Sequence, residues 1–211
     1  MKSWRILNRQ LLHGIKTIPV HFILKIKRNA DGSIDKYKAR LVAGGHKQLQ
    51  YMYDHTFAPT ANSDSIKLIY SLSAKESLII RLFDVTGAYL LADLESPVPI
   101  YMTIPSFQGN PELLVELKKS LYGLKQAGYL WNQKLDKALK AVNLNPTAAD
   151  PCIYHYEQGE DRVIVAIHVD DLLFAATSEG IIDQIVAQLK KELDANIEEV
   201  THSGSHLVNN S

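Results

Sequence analysis

Apolar residues recur along the chain with two different periods. Val20, Phe22, Leu24 and Ile26 alternate with His21, Ile23, Lys25 and Lys27, a period of two that predicts a strand. Asn29-Ala30-Asp31-Gly32 supplies a turn, and Ile34 to Val42 returns as a second strand. From Ser63, a candidate N-cap, the period lengthens: Ile66, Ile69, Tyr70 and Leu72 to Ala74 predict a helix with a buried stripe. A short apolar strand, Leu78 to Val85, carries an acid at Asp84. Three prolines between Asp93 and Gly109 predict loops around Ile100-Tyr101-Met102, and Leu113 to Leu117 is a further short strand. The block Leu121 to Ala127 opens a long helix, with Trp131, Leu135, Ala138, Leu139 and Val142 on its core face. Strands follow at Cys152 to Tyr156 and Arg162 to His168, then Leu172 to Ala176. A last helix, Glu179 to Leu193, buries Ile182, Ile185, Val186 and Leu189. Residues 195–211 lose periodicity and predict a frayed tail or a truncation.

Composition narrows the class. With 211 residues, 46% of them hydrophobic, the chain can build one sizeable core or two small ones. It has no run of about 18 apolar residues, which predicts no membrane span, and its first residues lack the apolar stretch of a secretory signal. The lone Cys152 excludes an internal disulfide and fits a reducing compartment, where it would act as a small hydrophobe in a strand. The formal net charge of zero hides an asymmetry. Residues 1–50 hold eleven Lys or Arg against Asp31 and Asp35, a balance of +9, so residues 51–211 carry −9. A basic arm on an acidic body suggests one surface for phosphate and another for cations, although a solvated basic face has the same composition.

The acidic candidate chemistry lies at the hairpin Val163 to Phe174, where Asp170 and Asp171 stand at the tip between two apolar strands. Adjacent carboxylates repel, and water in a turn or a bound divalent cation offsets that. If the Asp84 strand pairs beside this hairpin, Asp84 and Asp170 share hard cations and a two-metal site results. On its own, Asp84 suits a strand-terminating turn better than a ligand. Gly44-Gly45 offers a weak phosphate nest, with no helix start behind it. His202 and His206 are four apart, but Gly204 between them argues against a helical metal pair.

Four blocks occur in order: Tyr37-Lys38-Ala39-Arg40-Leu41-Val42-Ala43, Asp84-Val85-Thr86-Gly87-Ala88-Tyr89-Leu90, Leu121-Tyr122-Gly123-Leu124-Lys125-Gln126-Ala127, and Val169-Asp170-Asp171-Leu172-Leu173. Together they resemble the reverse transcriptase of copia-type LTR retrotransposons. The resemblance implies an α+β, right-hand polymerase fold, with fingers and palm over 18–194, a mostly antiparallel palm sheet and no thumb. Residues 1–17 would then be a junction segment, and 195–211 a tail truncated before thumb and RNase H. The implied activity is template-directed DNA synthesis by two-metal nucleotidyl transfer. Asp84, Asp170 and Asp171 would be catalytic and hold two Mg²⁺ ions, with Mn²⁺ as the alternative. Lys38, Arg40, Tyr89 and Gln126 would bind the nucleotide, Lys38 and Arg40 at the triphosphate and Tyr89 as the steric gate against a 2′-hydroxyl. The implied partners are a primed RNA or DNA template, deoxynucleoside triphosphates and the rest of a polyprotein, in an intracellular particle or the nucleus, with no membrane.

The sequence departs from the family pattern at Gly44, where a cation is usual, and at Gly128-Tyr129, where proline and a basic residue are usual. His168 takes a position that is often aromatic, with a similar packing role. These departures leave open a non-catalytic remnant that keeps the palm fold, or only binds nucleic acid through its basic arm. Another two-metal palm enzyme, such as a nucleotide cyclase, fits less well because of the fingers block.

Overall fold

In chain order the elements are β1 (Trp4–Ile6), β2 (Ile18–Arg28), β3 (Ile34–Ala43), α1 (Ser63–Glu76), β4 (Ile79–Val85), α2 (Ala88–Leu91), β5 (Tyr101–Ile104), β6 (Leu113–Leu117), α3 (Ala127–Ala141), β7 (Asn145–Pro146), β8 (Ile153–Gln158), β9 (Asp161–His168), β10 (Asp171–Ala176), α4 (Glu179–Leu193) and β11 (Ile197–Glu199). This computed structural model describes residues 3–7, 16–29, 31–105 and 112–200. His202 and His206 lie outside the described residues, as does Ala30 of the predicted turn. The chain forms two units, one from the described residues of 1–57 and 89–131, the other from those of 58–88 and 132–202.

The first unit is built on a five-stranded sheet in the order β1-β6-β5-β2-β3. Its core gathers Ile18, Met102, Val115, Leu117, Leu121 and Leu124. Strand β2 pairs with β5 only through Ile18 and Pro19; beyond them it pairs with β3 as a long two-stranded ribbon. Strand β1 lies in the stretch expected to be a junction, and pairs antiparallel with β6.

The second unit has a six-stranded sheet in the order β11-β4-β10-β9-β8-β7, antiparallel at every step. One face packs against α1, joining Ile66 and Ile69 to Leu82, Ala166, Leu173 and Ala175. The other face carries Phe83 edge-on to Phe174, and Arg81 reaches from it to Asp183 on α4. With helices on both faces, β9 and β10 are apolar almost throughout, as such burial requires. The predicted stripes of α3 and α4 are buried as read. Each such side chain contributes about 1.5–3 kcal/mol.

Four local readings change. Asn62, not Ser63, caps α1, its side-chain oxygen accepting from the Asp64 amide. The α1 stripe is narrower than predicted: Ile69 and Ser73 are buried while Tyr70 is exposed, because one sheet face covers only one turn-to-turn row. Helix α3 begins at Ala127, since residues 121–126 form turns in which Gly123 has φ +88°. Residues 197–199, read as part of a frayed tail, form β11 along β4, fastened by Arg81 donating to both carboxylate oxygens of Glu199.

The buried carboxylate of Asp150 organises the entry to α1. It accepts from the Asn62 amide at 2.9 Å, the Ser65 hydroxyl at 2.7 Å and the Cys152 amide at 2.9 Å. Burial by itself would raise its pKa, but these bonds outweigh it and hold the carboxyl below its ordinary value.

Candidate active site

The hairpin between β9 and β10 turns through two residues, Val169 and Asp170. Val169 has φ +60° and Asp170 does not share this sign, the pattern of a II′ turn, in which glycine is usual at the first position. A β-branched residue there is strained, and strain of that kind persists where the surroundings hold it. Part of that hold is visible: the Asp170 carbonyl accepts the Val85 amide at 2.9 Å, tying the turn to the end of β4. Asp170 thus occupies the turn, and Asp171 begins β10.

Register brings the acids together. Asp171 is directly opposite Asp84 across the β10–β4 pair, and opposite His168 across β10–β9. Glu198 is in turn opposite Asp84 across β11–β4. Because directly opposed residues share a face, Glu198, Asp84, Asp171 and His168 form one transverse row over four strands. His168 is exposed, so the packing role expected of it is not the one it has here. Asp84, Asp170 and Asp171 are all partly buried. Facing carboxylates lie about 4.5–5.5 Å apart at Cβ and destabilise the pair by up to ~1 kcal/mol. A hard divalent cation takes oxygen donors, and Asp84, Asp170 and Asp171 are donors of that type. Among the described residues no three His, Cys, Asp or Glu side chains are already gathered into a metal-holding group. The acids are a facing pair with a third at the adjoining turn, not a closed cage. Glu198 escaped the sequence reading because it falls in a stretch with no periodicity.

In the first unit, Lys38 and Arg40 lie on the β2–β3 ribbon, whose register sorts its residues by face. Val20, Phe22, Leu24 and Ile26 oppose Ala43, Leu41, Ala39 and Tyr37, an entirely apolar face. On the other face His21, Ile23, Lys25 and Lys27 oppose Val42, Arg40, Lys38 and Lys36. Lys25 thus faces Lys38, and Lys27 faces Lys36. Like charges set directly opposite cost stability, which a polyanion would offset.

Arg40 places its guanidinium carbon 5.3 Å from the ring centre of Tyr122, and Tyr89 meets the same ring edge-on at 5.0 Å. Gln126 sits differently from its fellow candidates. It is 2% exposed, its side-chain oxygen accepts from Gln48 Nε2 at 2.9 Å, and its amide donates to the Met52 carbonyl at 3.4 Å. Gln48 Oε1 also accepts the Lys125 amide at 2.7 Å. Gly44 and Gly45, read as a weak phosphate nest, instead permit close backbone contact. A Cβ on Gly45 would lie 2.0 Å from the Gly123 carbonyl oxygen, and one on Gly123 would lie 2.2 Å from that of Ala43.

Among the described residues no helix is long and apolar enough to cross a membrane. A family model described as reverse transcriptase (RNA-dependent DNA polymerase) matches residues 1–202. The chain is 34% identical over 190 residues to a retrovirus-related Pol polyprotein from transposon TNT 1-94 of Nicotiana tabacum, covering 88% of this chain and 14% of that protein. It is 30% identical over 192 residues to the corresponding polyprotein from transposon RE1 of Arabidopsis thaliana, covering 89% and 13%. A Ty1-ER2 Gag-Pol polyprotein of Saccharomyces cerevisiae is 30% identical over 202 residues, covering 93% and 11%. The chain therefore spans about one-seventh or less of the length of these relatives.

Proposed function

This chain belongs to the reverse transcriptase (RNA-dependent DNA polymerase) family, within the copia-type Pol polyproteins, and from that membership we propose that it carries out template-directed DNA synthesis by two-metal nucleotidyl transfer. The observation that carries this reading is the strand register that sets Asp171 opposite Asp84, with Asp170 in the turn beside them. Under this reading the six-stranded unit is the palm, and the ribbon belongs to the fingers. The two subdomains take in β1 and β11 as well as residues 18–194, because those strands belong to the two sheets.

Asp84 and Asp170, assisted by Asp171, hold the divalent cations. When bound there, Mg²⁺ would supply positive charge beside a primer 3′-hydroxyl and a departing pyrophosphate. The chain's own groups do the rest. Lys38 and Arg40 bind the triphosphate, Arg40 as a planar fork and Lys38 as a point charge. Tyr89 rests under the sugar and rejects a 2′-hydroxyl. Gln126 serves the nucleotide by fixing the 121–127 turns through Gln48, consistent with its burial. The substrates are a primed RNA or DNA template and deoxynucleoside triphosphates.

The test is Mg²⁺-dependent extension of a labelled primer on RNA and DNA templates, beside Asp84→Asn and Asp170→Asn. Extension that both substitutions abolish is the expected result. Binding of nucleic acid without Mg²⁺-dependent extension, unchanged by Asp84→Asn, would replace the polymerase reading with simple binding by the basic ribbon face.

A further inference from the structure

The two nucleotide-binding candidates with aromatic or planar groups, Arg40 and Tyr89, touch the same ring. Resting on the nucleotide-binding reading of those residues, we propose that Tyr122 is a positioning residue that sets both the triphosphate fork and the sugar gate. The three side chains come from β3, from α2 and from the turns after β6, so only the fold assembles them.

The Arg40 guanidinium lies over the Tyr122 ring at 5.3 Å, held by attraction between cation and ring face. Its Nε is buried with no hydrogen-bond partner among the described residues. A buried donor without an acceptor is costly, and the cation–ring contact offsets part of that cost. The ring therefore fixes the plane of this group. On its other contact Tyr122 meets Tyr89 at 5.0 Å and 74° between planes, the edge-on arrangement that aromatic quadrupoles favour. Rotation of Tyr89 is thereby opposed by a neighbour that is itself fixed.

The backbone fixes Tyr122. Its carbonyl accepts the Ala43 amide at 2.7 Å, and Gly123 next to it packs against the Ala43 carbonyl. Ala43 ends the strand that carries Arg40 three residues earlier. Arg40 and Tyr122 are thus joined twice, once by backbone and once by ring.

The experiment measures equilibrium binding of dTTP and its ribose counterpart, 5-methyl-UTP, to the full chain with Mg²⁺ and a primer–template whose primer ends in a 2′,3′-dideoxynucleotide, by calorimetry, for wild type, Tyr122→Phe, Tyr122→Leu and Arg40→Lys. Tyr122→Leu is expected to weaken dTTP about fivefold, by loss of one partly desolvated cation–ring contact. It is also expected to lower the dTTP-over-5-methyl-UTP preference about threefold, by loss of one aromatic pair. Tyr122→Phe keeps the ring and retains both properties. Arg40→Lys keeps the charge but loses the plane, and should weaken dTTP with little further loss when combined with Tyr122→Leu.

A merely structural ring would lower the melting temperature and leave the sugar preference where it was. Unchanged dTTP affinity and preference in Tyr122→Leu overturns the inference and leaves the polymerase reading standing. Unchanged dTTP affinity in Arg40→Lys overturns it as well, whether or not Tyr122→Leu folds. If wild type binds neither nucleotide, the nucleotide-binding reading falls and this inference with it.

Discussion

Gly123→Ala is the sharpest structural perturbation that the fold offers, because two penalties coincide there. Gly123 has φ +88°, and its added Cβ would lie 2.2 Å from the Ala43 carbonyl oxygen and 2.7 Å from Val42 Cγ1. The left-handed backbone costs an alanine about 1 kcal/mol, and overpacking adds about 1–3 kcal/mol. Relief requires the 42–43 backbone to retreat, which breaks the Ala43 amide's bond to the Tyr122 carbonyl, worth about 1 kcal/mol. We expect a loss of about 4 kcal/mol. The same structure supplies its own controls. Gly32 and Gly159 also have positive φ, at +86° and +63°, but an added Cβ meets nothing within 4 Å. Their alanine variants should lose about 1 kcal/mol each, the backbone cost only. Gly45→Ala isolates the steric part, with a backbone oxygen at 2.0 Å and no positive φ, and should lose about 2–3 kcal/mol. Urea unfolding followed by circular dichroism reads the series as midpoint shifts at constant slope. A Gly123→Ala variant no less stable than Gly159→Ala would refute the close packing of 121–127 against 43–45, and with it the backbone anchor of Tyr122.

Asp150→Asn should cost about 2 kcal/mol at neutral pH, since charge-assisted bonds from Asn62, Ser65 and Cys152 become neutral ones. The folded-state carboxyl titrates below its ordinary value, so its stabilisation is full above that value and lost as pH falls through the folded one. The acid limb of a stability–pH curve should therefore flatten in Asp150→Asn, and an unchanged limb would contradict the assignment. Burial, with the Asp150 charge adding to it, pushes the Cys152 thiol up to about 11. Iodoacetamide at pH 8 should modify native protein at least about a hundredfold more slowly than unfolded protein, because the thiolate is the reacting form; comparable rates would show the site open. Replacing Lys25, Lys27 and Lys36 with Gln should lower the slope of log affinity against log salt for single-stranded nucleic acid by about 2, read by fluorescence anisotropy. An unchanged slope would remove the ribbon's basic face from the binding surface.

Much of this protein was legible in its sequence because the governing interactions are local. A period of two on 20–27 and a longer one on 179–193 each reflect which side chains share one face of an element, and β2 and α4 formed accordingly, although only the α4 stripe is buried while Phe22, Leu24 and Ile26 of β2 are exposed. The four motif blocks pointed to the family, which the match over 1–202 then established. Period and motif do not contain register. That Asp171 faces Asp84, and that Glu198 joins their row, follows from how strands 87 and 114 residues apart slide until both sheet faces are covered. A slip of one residue would have turned those carboxylates to opposite faces. The burial of Gln126 against Gln48, the use of Gly44 and Gly45 for backbone contact, and the meeting of Arg40 and Tyr89 on Tyr122 are likewise contacts between distant segments. The sequence by itself determined the elements and the kind of chemistry. Tertiary packing decided which side chains face one another, because close packing is a property of the assembled chain and not of any window along it.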